Sequence, residues 1–287
     1  MIMKKLFLIL LLGVLPVFST ADGRNVRKPK ADRLTFTWSR SCMDGSRTGV
    51  TCPGADNIAE ALGSVEGTVY HAPDGRVFKG GAVPEVAEVL IGVQPEMAPV
   101  KEVVGYSTKE MIRTYPECEL SNLFIDTIMA AVEKSSGKKV DIGIGNFGGI
   151  RVDMPKGDIL KDDIMSMFPF KNNIVYVALK GREVRAILDQ MAATAFQVLG
   201  GVKVTARDGK IVSAEVGGAP LDDDKVYGVA TITFLLDGGD DLHVAHNALE
   251  VIECQEEIYD VIMDYVLNET AAGRAIEYRT DGRVRIL

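Results

Sequence analysis

The hydrophobic pattern of this chain changes period repeatedly, and the changes predict its elements. At the start, Lys4 and Lys5 precede an apolar run from Leu6 to Val14 that Pro16 breaks, and Ser19-Thr20-Ala21 follows with small residues. That order predicts a secretory signal peptide cut after Ala21, since the run falls short of the ~20 residues a membrane span needs. Next, Leu34, Phe36 and Trp38 alternate as in a strand, and Asp56 is placed to cap a short helix through Leu62. Thr68–His71 and Val77-Phe78 flank Pro73-Asp74-Gly75, a hairpin signal. Pro84 opens a predicted helix with Val86, Val89, Leu90 and Val93 on one face, ended by Pro95 and Pro99.

Beyond residue 100 the periodicity strengthens. Strands are predicted at 103–106, 140–144, 174–179, 227–233 and 284–287, with a hairpin over 202–205 and 211–216 turning at Asp208-Gly209. Helices are predicted over 117–136, 161–167, 181–196 and 255–266; in the first, Leu120, Leu123, Phe124, Ile128 and Val132 form a stripe. Interleaved strands, hairpins and helices predict an α+β fold, a mixed sheet with packed helices. The expected organisation is a signal peptide over 1–21, an N-terminal extension over 22–100 packing onto the main domain, and a main domain over 101–287.

Composition narrows the possible functions. The formal charge of −8, from 32 basic and 40 acidic residues, argues against a sequence-independent grip on a nucleic acid polymer, whose phosphates need a basic face. The 4 cysteines leave two readings open. Cys42 and Cys52 close a short disulfide loop in an oxidising compartment, or Cys42, Cys52, Cys118 and Cys254 are all free, buried thiols. The 3 histidines, His71, His243 and His246, stand apart from any carboxylate cluster with metal-ligand spacing.

Three segments beside predicted strands concentrate glycine with polar or aromatic residues: Asn146–Arg151, Pro169-Phe170 and Phe234–Asp240. Gly148, Gly149 and Gly239 allow a backbone to approach a ligand closely. Arg151 suits an anion or a sugar oxygen. Asp240 suits a pair of vicinal hydroxyls, each donating to a carboxylate. Phe170 and Phe234 together can sandwich a flat ring. Taken singly, each has a plainer reading: Phe170 and Phe234 as core plugs, Gly-Gly-Asp as a turn, Arg151 as a solvated charge, Asn146 as a local cap. Taken jointly, the set describes a nucleoside site.

The segment from about Val100 to Leu287 also resembles the C-terminal, substrate-binding domain of secreted 5′-nucleotidases and UDP-sugar hydrolases. Glu117–Leu123 looks like that family's Glu-Ser-x-Leu-Gly-Asn-Leu helix opening, with Asp126 matching its aspartate. Asn146-Phe147-Gly148-Gly149-Ile150-Arg151 looks like its Asn-Gly-Gly-Gly-Ile-Arg signature. Gly157-Asp158-Ile159, Phe168–Asn172, Leu179-Lys180-Gly181, Tyr227–Thr231, Phe234-Leu235 and Gly238-Gly239-Asp240 follow in the family's order.

The resemblance implies that Phe170 and Phe234 stack on the nucleobase and that Asp240 binds the ribose hydroxyls. It implies that Asn146 and Arg151 make base-side and sugar- or phosphate-side contacts. It further implies a metallophosphatase with two divalent metals. The N-terminal extension over 22–100 is far too short for that domain and carries none of its Asp-x-His, Gly-Asn-His-Glu or Gly-His-x-His stretches, so no metal, cofactor or general base is expected in this chain. The expectation is an exported, periplasmic or extracellular subunit of a split 5′-nucleotidase, inactive alone, whose separate partner chain holds the metals. The alternatives are a non-catalytic exported nucleoside- or nucleotide-binding or regulatory module, and a retained fold with a defunct pocket.

Three departures from the family pattern bear on the site. Phe147 stands for a glycine, with the expectation that its ring narrows the pocket or adds an apolar wall. Asp241 stands for another glycine and adds negative charge beside Asp240. Pro116 occupies the place of an arginine, leaving Arg113 as the nearest candidate. Weakened phosphate affinity is expected, so that a nucleoside binds as well as a nucleotide.

Overall fold

Asn173–Lys180 reads Asn-Ile-Val-Tyr-Val-Ala-Leu-Lys, an apolar run without alternation, as expected of a strand covered on both faces. The computed structural model, which describes residues 58–287, places it inside a mixed five-stranded sheet. The signal-peptide segment, Leu34–Trp38, Cys42, Cys52 and Asp56 lie outside the described residues.

In chain order the first elements are α1 (Ile58–Leu62), β1 (Ser64–Glu66), β2 (Val69–His71), β3 (Val77–Lys79) and α2 (Ala82–Gly92). The strands β1, β2 and β3 form a small antiparallel sheet. The Pro-Asp-Gly turn closes β2 onto β3, with the Gly75 amide donating to the Ala72 carbonyl and the Arg76 amide to Asp74. The predicted apolar face of α2 points outward: Val86, Val89, Leu90 and Val93 are exposed, while Pro84 and Ala87 are buried.

Then come β4 (Val103–Ser107), α3 (Glu119–Ser136), β5 (Ile142–Gly145), β6 (Gly157–Leu160), α4 (Lys161–Met167), β7 (Asn173–Lys180), α5 (Gly181–Ala193) and β8 (Val198–Gly200). The chain finishes with β9 (Val202–Arg207), β10 (Lys210–Val216), β11 (Ala219–Pro220), β12 (Val226–Ile232), β13 (Glu250–Glu257), α6 (Ile258–Ala271) and β14 (Val284–Ile286).

The main sheet runs β13-β7-β12-β5-β8, parallel between β12 and β5 and antiparallel elsewhere. A second sheet runs β11-β10-β9-β14, and β4 pairs with β6. Helix α3 lays its stripe of Leu120, Leu123, Phe124, Ile128 and Val132 across the main sheet, all five fully buried. Helix α5 packs on β7 and β10.

The helix predicted from residue 255 begins later, at Ile258, because Glu250–Glu257 is an edge strand. Its odd-even exposure is masked in the sequence by four glutamates that sit harmlessly at a solvent-facing edge. Among the described residues, no helix is long and apolar enough to cross a membrane.

Register explains why three distant loops share one place. Ile232 at the end of β12 faces Ile174 at the start of β7, and Val229-Ala230 lie beside Ile142-Gly143 of β5 in parallel. The chain therefore leaves β5 and β12, and enters β7, at the same edge of the sheet.

Candidate functional site

A cavity of about 450 Å³ opens at that edge, between the Asn146–Arg151 loop, the Phe170–Asn172 turn and the Phe234–Asp240 loop. Of the residues singled out from sequence, Asn146, Gly148, Gly149, Arg151, Phe170, Phe234 and Asp240 line it. Phe170 is 47% exposed and Phe234 45%, too much for residues that merely plug a core. Asp240 brings a carboxylate and Arg151 a guanidinium to the same space.

Gly239 is not part of the lining but seats Phe234. A Cβ at Gly239 would lie 2.1 Å from the Phe234 carbonyl oxygen and 2.7 Å from its ring, so any side chain there would displace the aromatic wall. The same loop holds Asp240 at φ 48° and Asp241 at φ 59°, two consecutive left-handed residues that are not glycine. The Gln190 amide donates to the Asp241 carbonyl and helps to hold them.

Asn146 is 4% exposed. Its Nδ2 donates to Asp240 Oδ2 at 2.8 Å, across 94 residues of chain. Its Oδ1 is buried without a hydrogen-bond partner. A Cβ at Gly149 would stand 2.7 Å from that oxygen, which explains the small residue at this point of the loop. Arg151 donates from Nη1 to the Gly148 carbonyl at 3.1 Å and sits with Cζ 5.7 Å from the centre of the Phe170 ring. Its guanidinium thus rests against an aromatic wall in a cation–π contact.

Two expectations are corrected. The Phe147 ring neither narrows the cavity nor forms one of its walls. It packs against Tyr115, 6.0 Å between ring centres at 59°, and does not line the cavity. Gln197 fixes this arrangement by accepting from the Phe147 amide. Arg113 does not supply the cavity with a cation; its guanidinium donates to the carbonyls of Phe147 and Ile150 and braces the loop from behind.

Lys171 and Asn172 also line the cavity, and both were passed over in the sequence. Thr233 Oγ1 donates to Asn172 Oδ1 at 3.2 Å, which orients the Asn172 amide. The available signal was adjacency: both residues follow Phe170 directly, in a turn too short to carry them elsewhere.

Among the described residues, no group of three or more His, Cys, Asp or Glu side chains is placed to hold a metal ion. The metal pair that the resemblance implies thus has no fitting ligand set in this part of the chain. His243 lies on the surface with Nδ1 3.8 Å from Asp237.

The model of the 5′-nucleotidase C-terminal domain matches residues 103–247, about half of the chain. The chain belongs to this family. Among curated relatives, it is 34% identical to protein UshA of Salmonella pullorum over 118 residues, which is 39% of this chain and 21% of that protein. It is 28% identical to a 5′-nucleotidase of Vibrio cholerae over 176 residues, 58% of this chain and 31% of that protein. It is 26% identical to the trifunctional nucleotide phosphoesterase YfkN of Bacillus subtilis over 225 residues, 70% of this chain and 15% of that protein. The chain thus spans less than a third of the length of each of these three.

Among solved structures, the fold matches the 5′-nucleotidase precursor of Thermus thermophilus with TM-score 0.63 at 23% identity, over 76% of this chain and 48% of that one. It also matches the NAD nucleotidase of Haemophilus influenzae with TM-score 0.55 at 18% identity, over 76% of this chain and 47% of that one. These likenesses establish the fold, and the family assignment accounts for the order of motifs along the chain.

Proposed function

We propose that this chain is an exported nucleotide- or nucleoside-binding subunit of a split 5′-nucleotidase, acting in nucleotide breakdown beside a metallophosphatase carried on a separate chain. One observation carries the reading. Phe170 and Phe234, both about half exposed, open onto the same cavity as Asp240 and Arg151. A base held between the two rings would set the ribose hydroxyls toward Asp240 and the 5′ end toward Arg151 and Lys171. Binding energy collected at base and sugar would then orient a phosphate for attack by a water that the partner activates.

Base stacking is worth about 1–3 kcal/mol per base. Replacing Phe170 or Phe234 by alanine should therefore weaken adenosine or AMP binding by about fivefold or more, measured by titration calorimetry. Unchanged affinity in both variants would remove the stacking model. Complete lack of binding by the unmodified protein would leave only a retained fold. For the split enzyme, phosphate release from AMP should be absent with this chain alone and rise when the metallophosphatase is added. No gain over the metallophosphatase alone rejects the subunit role.

Arg113 favours a second reading. It is engaged with backbone carbonyls, which leaves Arg151 and Lys171 as the cations of the cavity lining, with Asp240 and Asp241 close by. That balance suits a binding module for uncharged nucleosides, which predicts adenosine affinity equal to or above AMP affinity and no complementation of a metallophosphatase.

A further inference from the structure

A buried asparagine beside a carboxylate raises the question of which partner depends on the other. Asn146 gives its amide to Asp240 Oδ2 at 2.8 Å and is 4% exposed. Its carbonyl, equally buried, has no hydrogen-bond partner. Leaving a buried acceptor unmatched is costly, so such an arrangement persists where the other half of the side chain is needed. Turning the amide over would not help, because it would set a carbonyl oxygen against a carboxylate oxygen and leave the donor without the carboxylate.

The partner also needs holding. Asp240 lies at φ 48° and Asp241 at φ 59°, a backbone region that L residues enter at a cost. Without tethers from outside the loop, that stretch would relax and take the carboxylate with it. The tethers in the structure are the Asn146 amide on the Asp240 side chain and the Gln190 amide on the Asp241 carbonyl. Gly149 completes the device from the other side, since a Cβ there would press on the Asn146 carbonyl at 2.7 Å.

We infer that Asn146 is a positioning residue: it fixes Asp240 through Oδ2 and leaves Oδ1 as the acceptor offered to the ligand's hydroxyls. This rests on the nucleoside reading above, but it gives Asn146 a role distinct from the base- or sugar-side contact that the family resemblance implies.

The test is the pH dependence of adenosine binding in Asn146→Asp, followed by calorimetry from about pH 5 to about pH 8. Two carboxylates within hydrogen-bond distance cannot both ionise readily, so one proton is retained between them at the acid end and lost toward the alkaline end. A shared proton restores the bridge, and its loss drives the two side chains apart. The unmodified protein should bind adenosine with little change across this range. The variant should bind comparably at the acid end and about tenfold more weakly at the alkaline end. An asparagine needed only for folding would give a uniform loss without this slope.

If Asn146→Asp does not fold by circular dichroism, Asn146→Ala carries the test, because it removes the donor without adding charge. It should weaken adenosine binding about tenfold at every pH, with the melting temperature little changed. Affinity equal to that of the unmodified protein in the folded variant, at every pH, overturns the inference while leaving the nucleoside reading intact. An unmodified protein that binds no adenosine defeats both readings together.

Discussion

Asp241 stands where the 5′-nucleotidase family pattern has a glycine, and its backbone at φ 59° shows what that glycine is for. Left-handed backbone costs an L residue roughly 1–2 kcal/mol, with aspartate at the low end. Returning glycine removes this strain but gives the unfolded chain more freedom to lose. The net expectation for Asp241→Gly is a gain of roughly 0.5 kcal/mol, read as a higher urea midpoint at constant slope. Removing the charge beside Asp240 should also raise AMP affinity relative to adenosine. A lower midpoint would show that the carboxylate, not the conformation, governs this position. At the residue scale, Phe170, Phe234, Arg151 and Asp240 each had a plainer use when taken singly, and only their joint occurrence on loops beside strand ends made their shared cavity legible. Phe147 was misread because a ring beside a binding loop can turn to either side, and only the position of Tyr115 decides which. Asn172 was missed because an asparagine in a turn usually serves its own backbone.

At the scale of the element, the helix opening of α3 illustrates how a local departure is absorbed. Cys118 sits at the N-cap, where its Sγ accepts from the Ser121 amide at 3.3 Å, while Ser121 Oγ accepts from the Cys118 amide at 3.0 Å. This is a capping box with sulfur in place of the usual hydroxyl. A hydroxyl is the stronger acceptor, so Cys118→Ser is expected to add about 0.5 kcal/mol of stability. Cys118→Ala should cost about the same or somewhat more, with both effects measured by urea unfolding. If serine destabilises as much as alanine, the buried thiol contributes by packing instead. Elements with buried stripes or unbroken apolar runs, such as α3, β7 and β12, were readable within a few residues. Helix α2 was readable as a helix, but its valines mark an exposed face rather than a buried one. Periodicity reports which residues share a face, and it carries no information on what covers that face. Strand β13 escaped notice because an edge strand can be highly charged and still pair.

At the scale of the whole molecule, the helix-opening block shared with the family serves to tie the C-terminal segment to α3, away from the cavity. Glu117 accepts from the amides of Asp281, Gly282 and Arg283, and the Asn122 amide donates to Glu117 at 2.8 Å. Arg283 grips Asp126 with both Nη atoms at 2.7 Å, and Tyr278 donates its hydroxyl to Asp126 at 2.6 Å. The knot leads directly into β14, which pairs in parallel with β9, so it closes the second sheet onto the end of the chain. Burial, followed by the bond to Asp126, pushes the Tyr278 hydroxyl above its ordinary value of 10.0. The folded protein therefore keeps this proton after the unfolded chain has lost it. Stability from the bond is fully present below about pH 10 and is lost as pH rises toward the folded value. Tyr278→Phe removes a hydrogen bond to a charged group and should cost about 1.5 kcal/mol at neutral pH. That deficit should shrink above about pH 10, because only the unmodified protein loses this contribution there. Urea unfolding of both proteins from neutral to alkaline pH measures the gap directly. A gap that stays constant across the range would mean that Tyr278 supports the C-terminal segment by packing alone.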